Sequence, residues 1–227
     1  MRYCIKIIGL GGIGSSLSNI LSRFVNYDIE NEYIFHLIDG KELQPRKLER
    51  QEFEMESGNK AELKKMELER KFPNIQYVEC PFYLNDRNVH NIIEEGDIIF
   101  LCVDNHKSRN LASRFVDTLD NSVLISAGND LTDGNAQLYI RQDGIKITPS
   151  LTDYHPEISN FTDKLPEELS CEELAFSSPQ IYLANLQAAV LMSEIFRIYK
   201  LNKEVISECY FDIDTINVRS VTRKPKK

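Results

Sequence analysis

Apolar residues in this chain fall into short dense runs separated by stretches with helical spacing. Ile5-Lys6-Ile7-Ile8, Tyr33-Ile34-Phe35-His36-Leu37-Ile38, Ile75 to Cys80, Asp97 to Val103 and Val123 to Ala127 each read as a strand. The run from Ile98 to Val103 is β-branched and aromatic enough for a parallel strand buried on both faces. Between the strands, Ile13 to Val25 repeats apolar residues at Leu17, Ile20, Leu21 and Phe24, which predicts a helix. Gly58 to Lys71 predicts a charged amphipathic helix, Asp86 to Ile93 a short one, and Asn105 to Leu119 a third. This alternation predicts an α/β, Rossmann-like fold with a mostly parallel sheet flanked by helices.

Past Gly128 the pattern changes. Ala136 to Ile140 and Gly144 to Ile147 read as a hairpin-like antiparallel extension. Thr148 to Leu169 holds three prolines and little periodicity, and predicts a surface crossover. Ser177-Ser178-Pro179 is expected to cap a long apolar helix over Ile181 to Tyr199. Glu208 to Ile213 and Thr215 to Val221 then read as closing strands. We therefore expect one domain over 1–227. Residues 1–128 form its Rossmann-like half, and 129–227 hold the crossover, the apolar helix and the closing strands.

Composition narrows the partners. The 227 residues are 42% hydrophobic and 27% charged, ordinary for a globular chain that buries a core without staples. A net charge of −8 argues against a general nucleic-acid binder. The apolar helix carries Asn185, Gln187, Glu194 and Arg197, so it reads as core or interface and not as a membrane span. The five cysteines form no C-x-x-C pair, so no zinc is expected. Met1 runs straight into the first strand, which predicts no signal peptide and a cytoplasmic protein.

The chemistry concentrates after the first strand. Gly9, Gly11 and Gly14 stand at the G-x-G-x-x-G spacing, with Gly12 inside it. Such a turn opens a helix whose free amide N–H groups and positive dipole end receive a phosphate. Asp39 ends the second strand where a nucleotide ribose is usually held. Lys41 to Ser57 is a long polar loop with Arg46, Lys47, Arg50 and Gln51. Lys60 opens the next helix, where the dipole disfavours a cation. Either an anionic ligand lies between it and the glycine turn, or it is an exposed lysine with Glu62 or Glu67 nearby. Asp104-Asn105 ends the fourth strand, so Gly9, Asp39 and Asp104 are expected along one rim.

Taken together, these residues resemble the ThiF/MoeB/HesA-type adenylyltransferases, the superfamily that includes ubiquitin-activating enzymes. Leu48-Glu49-Arg50-Gln51 is similar to the family's L-x-R-Q element, and Gly58-Asn59-Lys60 to its glycine-lysine helix start. Asp97-Ile98-Ile99 through Asp104-Asn105, with Arg109, resembles its D-x-V…D-N…R element. Leu169-Ser170-Cys171 before the apolar helix resembles its L-T-C segment.

The resemblance implies joining a C-terminal carboxylate to AMP with release of pyrophosphate. It implies ATP on Gly9, Gly11, Gly12, Gly14 and Asp39, with phosphates on Arg50 and Lys60, Mg2+ on Asp104, and support from Gln51 and Asn105. It also implies a small ubiquitin-like or sulfur-carrier protein ending in glycine as partner, a homodimer built on the apolar helix, and thioester or sulfur transfer at Cys171. Against that last role, Glu168, Glu172 and Glu173 would raise the thiol's pKa.

The chain departs from the family at three points. Lys41 stands where many relatives have a second acidic residue, and Lys47 where they often have asparagine. A third departure is expected at the start, where many relatives carry a helical segment with an arginine that reaches the partner subunit's site. Three other readings remain: adenylation of another carboxylate such as a peptide, an NAD-dependent oxidoreductase, and a silent partner subunit. The oxidoreductase explains Gly9 to Gly14 and Asp39 but leaves Arg50, Lys60 and Asp104 as coincidences.

Overall fold

The computed structural model describes residues 1–163, 181–201 and 206–226. Its strands are β1 (Arg2–Ile8), β2 (Glu32–Ile38), β3 (Gln76–Cys80), β4 (Ile98–Leu101), β5 (Ser122–Asn129), β6 (Asp133–Gln142), β7 (Ile145–Lys146), β8 (Glu208–Asp212) and β9 (Asn217–Val221). The helices are α1 (Gly12–Val25), α2 (Lys60–Lys71), α3 (Val89–Ile92), α4 (His106–Val116) and α5 (Tyr182–Lys200). The strands form one sheet in the order β3-β2-β1-β4-β5-β6-β8-β9, with β7 paired to β6. β3 through β5 are mutually parallel, and every pairing from β5 outward is antiparallel. The expected fold class holds.

Alternation within the strands sorts the core into two layers. Ile5, Ile7, Phe35, Leu37 and Phe100 pack with α1, α2 and α5 through Leu17, Leu68, Met192 and Phe196. Ile8, Ile38, Ile99, Leu101 and Leu124 face α3 and α4 through Ile92, Ala112 and Val116. Charge also sits inside this pattern: Lys6 is buried on β1 with Asp97 at 3.5 Å and Glu94 at 3.9 Å.

The antiparallel part is larger than expected. β6 runs ten residues and pairs along the whole of β5, so β7 adds only a two-residue hairpin. The crossover over 148–163 is fastened down. A single 3-10 turn at Pro156–Ile158 buries Ile158 beside α4. The apolar helix α5 is mainly intramolecular core: Ala184, Ala188, Ala189, Met192 and Phe196 pack inward, while Leu183 and Val190 face out. Its first residue is Tyr182, with Ile181 extended at the cap and no side-chain cap bond. The expected serine cap is thus not at the helix start, and Ser177-Ser178-Pro179 lie outside the described residues.

Candidate active site

The strand order reverses between β1 and β4, and the crevice outside their carboxyl ends is where open α/β sheets bind ligands. Backbone bonds close this junction: Gly9 N donates to Ile38 O at 2.8 Å, and Cys102 N to Ile8 O at 2.8 Å. Gly9 has φ +90°, a conformation that side chains other than hydrogen resist. A β-carbon on Gly14 would lie 1.9 Å from Gly9 O, so α1 starts directly against the end of β1. A β-carbon on Gly11 would meet nothing within 4 Å. The turn is open there, on the side from which a phosphate could reach the backbone.

Asp39 is buried at the end of β2 and organises the neighbouring loops. Its Oδ2 accepts from Leu10 N at 2.7 Å, and its Oδ1 from Lys41 N at 2.8 Å. Each oxygen keeps a lone pair for a hydroxyl donor. Asn59 then ties the third wall in. Its Nδ2 donates to Asp39 O at 3.2 Å, and its Oδ1 accepts from Ala61 N at 2.8 Å, which makes it the N-cap of α2. That cap fixes Lys60 as the first helical residue.

Lys60 is 2% exposed, which rules out the solvated surface lysine. Glu67 serves Lys64 instead, at 2.7 Å. Burial pushes the Lys60 ammonium below its usual pKa, and the charges that reach it are Asp39, Lys41, Asp104 and Arg50. Lys47 is also buried, its ammonium lowered to about 8 by burial and then by Lys41, Lys60 and Arg50, with Asp104 opposing. The structure thus brings Lys41, Lys47, Arg50 and Lys60 together with Asp39 and Asp104.

Asp104 is exposed beyond β4. Behind it the buried Arg109 donates to Val103 O and Ala127 O, both at 2.9 Å, and spans the ends of β4 and β5. Asn105 Oδ1 accepts from Ser108 N at 2.8 Å and caps α4, which leaves its Nδ2 for other partners. Gln51 is 7% exposed, and its Oε1 has no hydrogen-bond partner among the described residues. Among those residues no group of three His, Cys, Asp or Glu side chains is placed to hold a metal. Cys171 lies outside the described residues.

Three members escaped the sequence reading. Asn59 was legible as a cap residue immediately before Lys60. Lys47 was legible as a cation of the long loop and as a departure from the family pattern, but not as buried. Asn185 gave no signal: it is fully buried on α5, and both its amide atoms lack partners among the described residues. A β-carbon on Gly12 would lie 2.3 Å from its Nδ2, so this amide is lodged against the start of α1.

The family model for ThiF matches residues 2–226. The chain belongs to the ThiF family. Among solved structures it is similar to Escherichia coli MccB with ATP, at 20% identity and a TM-score of 0.75, over 99% of this chain and 64% of that one. Escherichia coli MccB with AMPCPP and MccA gives the same identity and TM-score, over 99% and 65%. PaaA follows at 12% identity and 0.71, over 97% and 64%. At these identities the likeness is one of fold, and this chain spans about two thirds of the length of those relatives. No curated protein sequence is significantly similar to it. Among the described residues no helix is long and apolar enough to cross a membrane.

Proposed function

We propose that this ThiF-family chain is an ATP-dependent adenylyltransferase that activates the C-terminal carboxylate of a peptide or small protein. The observation that carries the reading is the gathering of Lys41, Lys47, Arg50 and Lys60 beside Asp39 and Asp104 at the mouth of the sheet, with Lys47 and Lys60 buried. Cations gathered this way, two of them buried, call for a polyanion. The oxidoreductase reading gives them no task.

In the proposed reaction the amides at the start of α1 receive the α-phosphate, and Asp39 accepts the ribose hydroxyls. Arg50 and Lys60 neutralise the phosphates, so that a carboxylate can approach the phosphorus without two anions repelling each other. A carboxylate oxygen bonds to the α-phosphorus, and the bond from that phosphorus to the bridging oxygen breaks. The electron pair leaves on pyrophosphate, and no proton transfer is needed. A single exposed carboxylate such as Asp104 suits Mg2+, which takes one or two protein carboxylates and fills its shell with phosphate and water. When bound, Mg2+ adds a Lewis acid to the phosphates.

MccB has been solved with N-formylated MccA and, from Escherichia coli, with ATP, which supports a polypeptide acceptor here. A carrier protein ending in glycine is the narrower form of the same proposal. A homodimer is part of it, with the outward residues Leu183 and Val190 of α5 available as contacts. The test is exchange of labelled pyrophosphate into ATP with synthetic peptides and glycine-terminated carrier proteins. Exchange is expected with free C-terminal carboxylates, absent with the amidated forms, and lost in Lys60→Ala. Exchange that survives amidation, or a change in NADH absorbance with a small hydroxy acid, would overturn the reading.

A further inference from the structure

Glu52 stands two residues after Arg50 and bonds through every polar group it has. Its amide donates to Ser15 Oγ of α1 at 3.0 Å, and its carbonyl accepts from Lys64 of α2. One carboxylate oxygen accepts from Asn19 of α1 at 3.0 Å, and the other from the hydroxyl of Tyr182, the first residue of α5. Bonds to α1 and α2 tie the long loop to helices that open at the crevice. The bond to Tyr182 brings in a helix that supplies none of the residues read as nucleotide ligands.

The same turn of α5 meets the crevice a second time. Asn185 is fully buried against Gly12, where a β-carbon would collide with its amide. Neither amide atom has a partner among the described residues. A buried amide without bonds lowers stability relative to an apolar side chain, so packing alone gives no reason for it. Tyr182 and Asn185 are three residues apart and share one helix face. Through that face α5 reaches both walls of the site, the glycine turn at Gly12 and the arginine loop at Glu52.

We propose that Tyr182 and Asn185 are positioning residues: the first turn of α5 holds the glycine turn and the Arg50 loop in register, and is itself steadied when a nucleotide draws the two together. This rests on the adenylation reading above and deepens it. Neither residue touches substrate; they act through Gly12 and Glu52. The start of α5 then responds to whether the crevice is filled.

The experiment is hydrogen–deuterium exchange of the full chain, read by mass spectrometry with and without saturating ATP and Mg2+. The first amides of a helix lack partners within it, so they report whether its start is held. In the unaltered chain ATP is expected to slow exchange over Tyr182 to Ala189 by about threefold or more, along with the start of α1. In Tyr182→Phe, which loses only the hydroxyl, ATP should still slow α1 while the slowing over α5 disappears. Asn185→Ala should give the same pattern from the other contact. Calorimetric titration checks that each variant is saturated, with ATP weakened by no more than about tenfold. A bond that only supports the fold would change exchange over α5 by the same factor with and without ATP, and that result would overturn the proposal. So would ATP bound to the unaltered chain without slowing over α5; the adenylation reading would then stand and this proposal alone would fall. If the unaltered chain binds no ATP, the adenylation reading falls first and this proposal with it.

Discussion

Two long loops cross this molecule, and they treat charge in opposite ways. The segment between β2 and α2 gathers Lys41 and Lys47 close to Arg50 and Lys60. The crossover over 148–163 matches nearly every charge it carries. His155 bridges Glu157 at 2.8 Å and Glu208 at 2.6 Å, Asp163 accepts from the first amides of α4, and Asp153 accepts from Ser150 N at 3.0 Å. Both loops are anchored, so the difference is not one of order. The first is pinned at Glu52, whose carboxylate accepts from Asn19 at 3.0 Å and from Tyr182, and whose amide donates to Ser15 Oγ at 3.0 Å. A segment held in place with Lys41 and Lys47 in no ion pair among the described residues leaves a task for an anion in the proposed reaction; one whose charges are matched internally is complete in itself.

The strongest way to break this contrast is to cut the anchor. Lys64 and Glu67 are buried together at 2.7 Å, and Glu67 also accepts from Glu54 N. Glu67→Gln leaves Lys64 buried without its counter-charge and should cost about 3–5 kcal/mol, read from urea unfolding. A loss below about 1 kcal/mol would mean that the loop is held by something else.

Next in size is the packing behind the glycine turn. Gly12→Ala drives a methyl onto the Asn185 amide and should cost about 1–3 kcal/mol, together with ATP binding. Combining it with Asn185→Ala should recover most of that loss, by thermal melting and by nucleotide titration. Failure of the pair to recover would show that the turn's own backbone, and not Asn185, sets the limit.

A smaller effect tests the matched loop. Its hydrogen bond to Glu208 raises the His155 pKa, against burial. The protonated form is favoured by folding, so its stabilisation is complete below the ordinary histidine range and fades as pH rises through the raised value. Burial raises the Glu208 carboxyl, but bonds from His155 and Asn135 hold it below its ordinary value, so its share fades as pH falls through that lowered value. His155→Gln should therefore lower Tm by about 2–4 °C near pH 6, and the gap should close toward pH 9. A gap that is constant across this range would remove His155 from the fastening. The smallest effect expected is at Asp163: Asp163→Asn weakens the cap on α4 by about 1 kcal/mol and leaves ATP affinity unchanged.

The parallel half was legible because glycine spacing and dense apolar runs are local signals. α3 came out shorter than Asp86 to Ile93, because Asn85 N donates to Asn88 Oδ1 and Asn88 Nδ2 to Tyr83 O, which holds that stretch in turns until Val89. Lys6, Lys47 and Lys64 were not legible as buried. Nothing local distinguishes a lysine that faces water from one enclosed by residues distant in sequence. The role of Lys60 was half visible: its unfavourable place at a helix start suggested an anion, but only the folded neighbourhood brings Arg50, Asp39 and Asp104 within its reach.

With Gly14 pressed against the carbonyl of Gly9, the first turn of α1 has no slack in which a larger residue could settle. On the proposed reading the anchoring point for a phosphate is thereby frozen, whatever carboxylate is activated. Any adjustment to a new substrate has to be made on the side where side chains are still exchangeable, the span between Gly40 and Asn59.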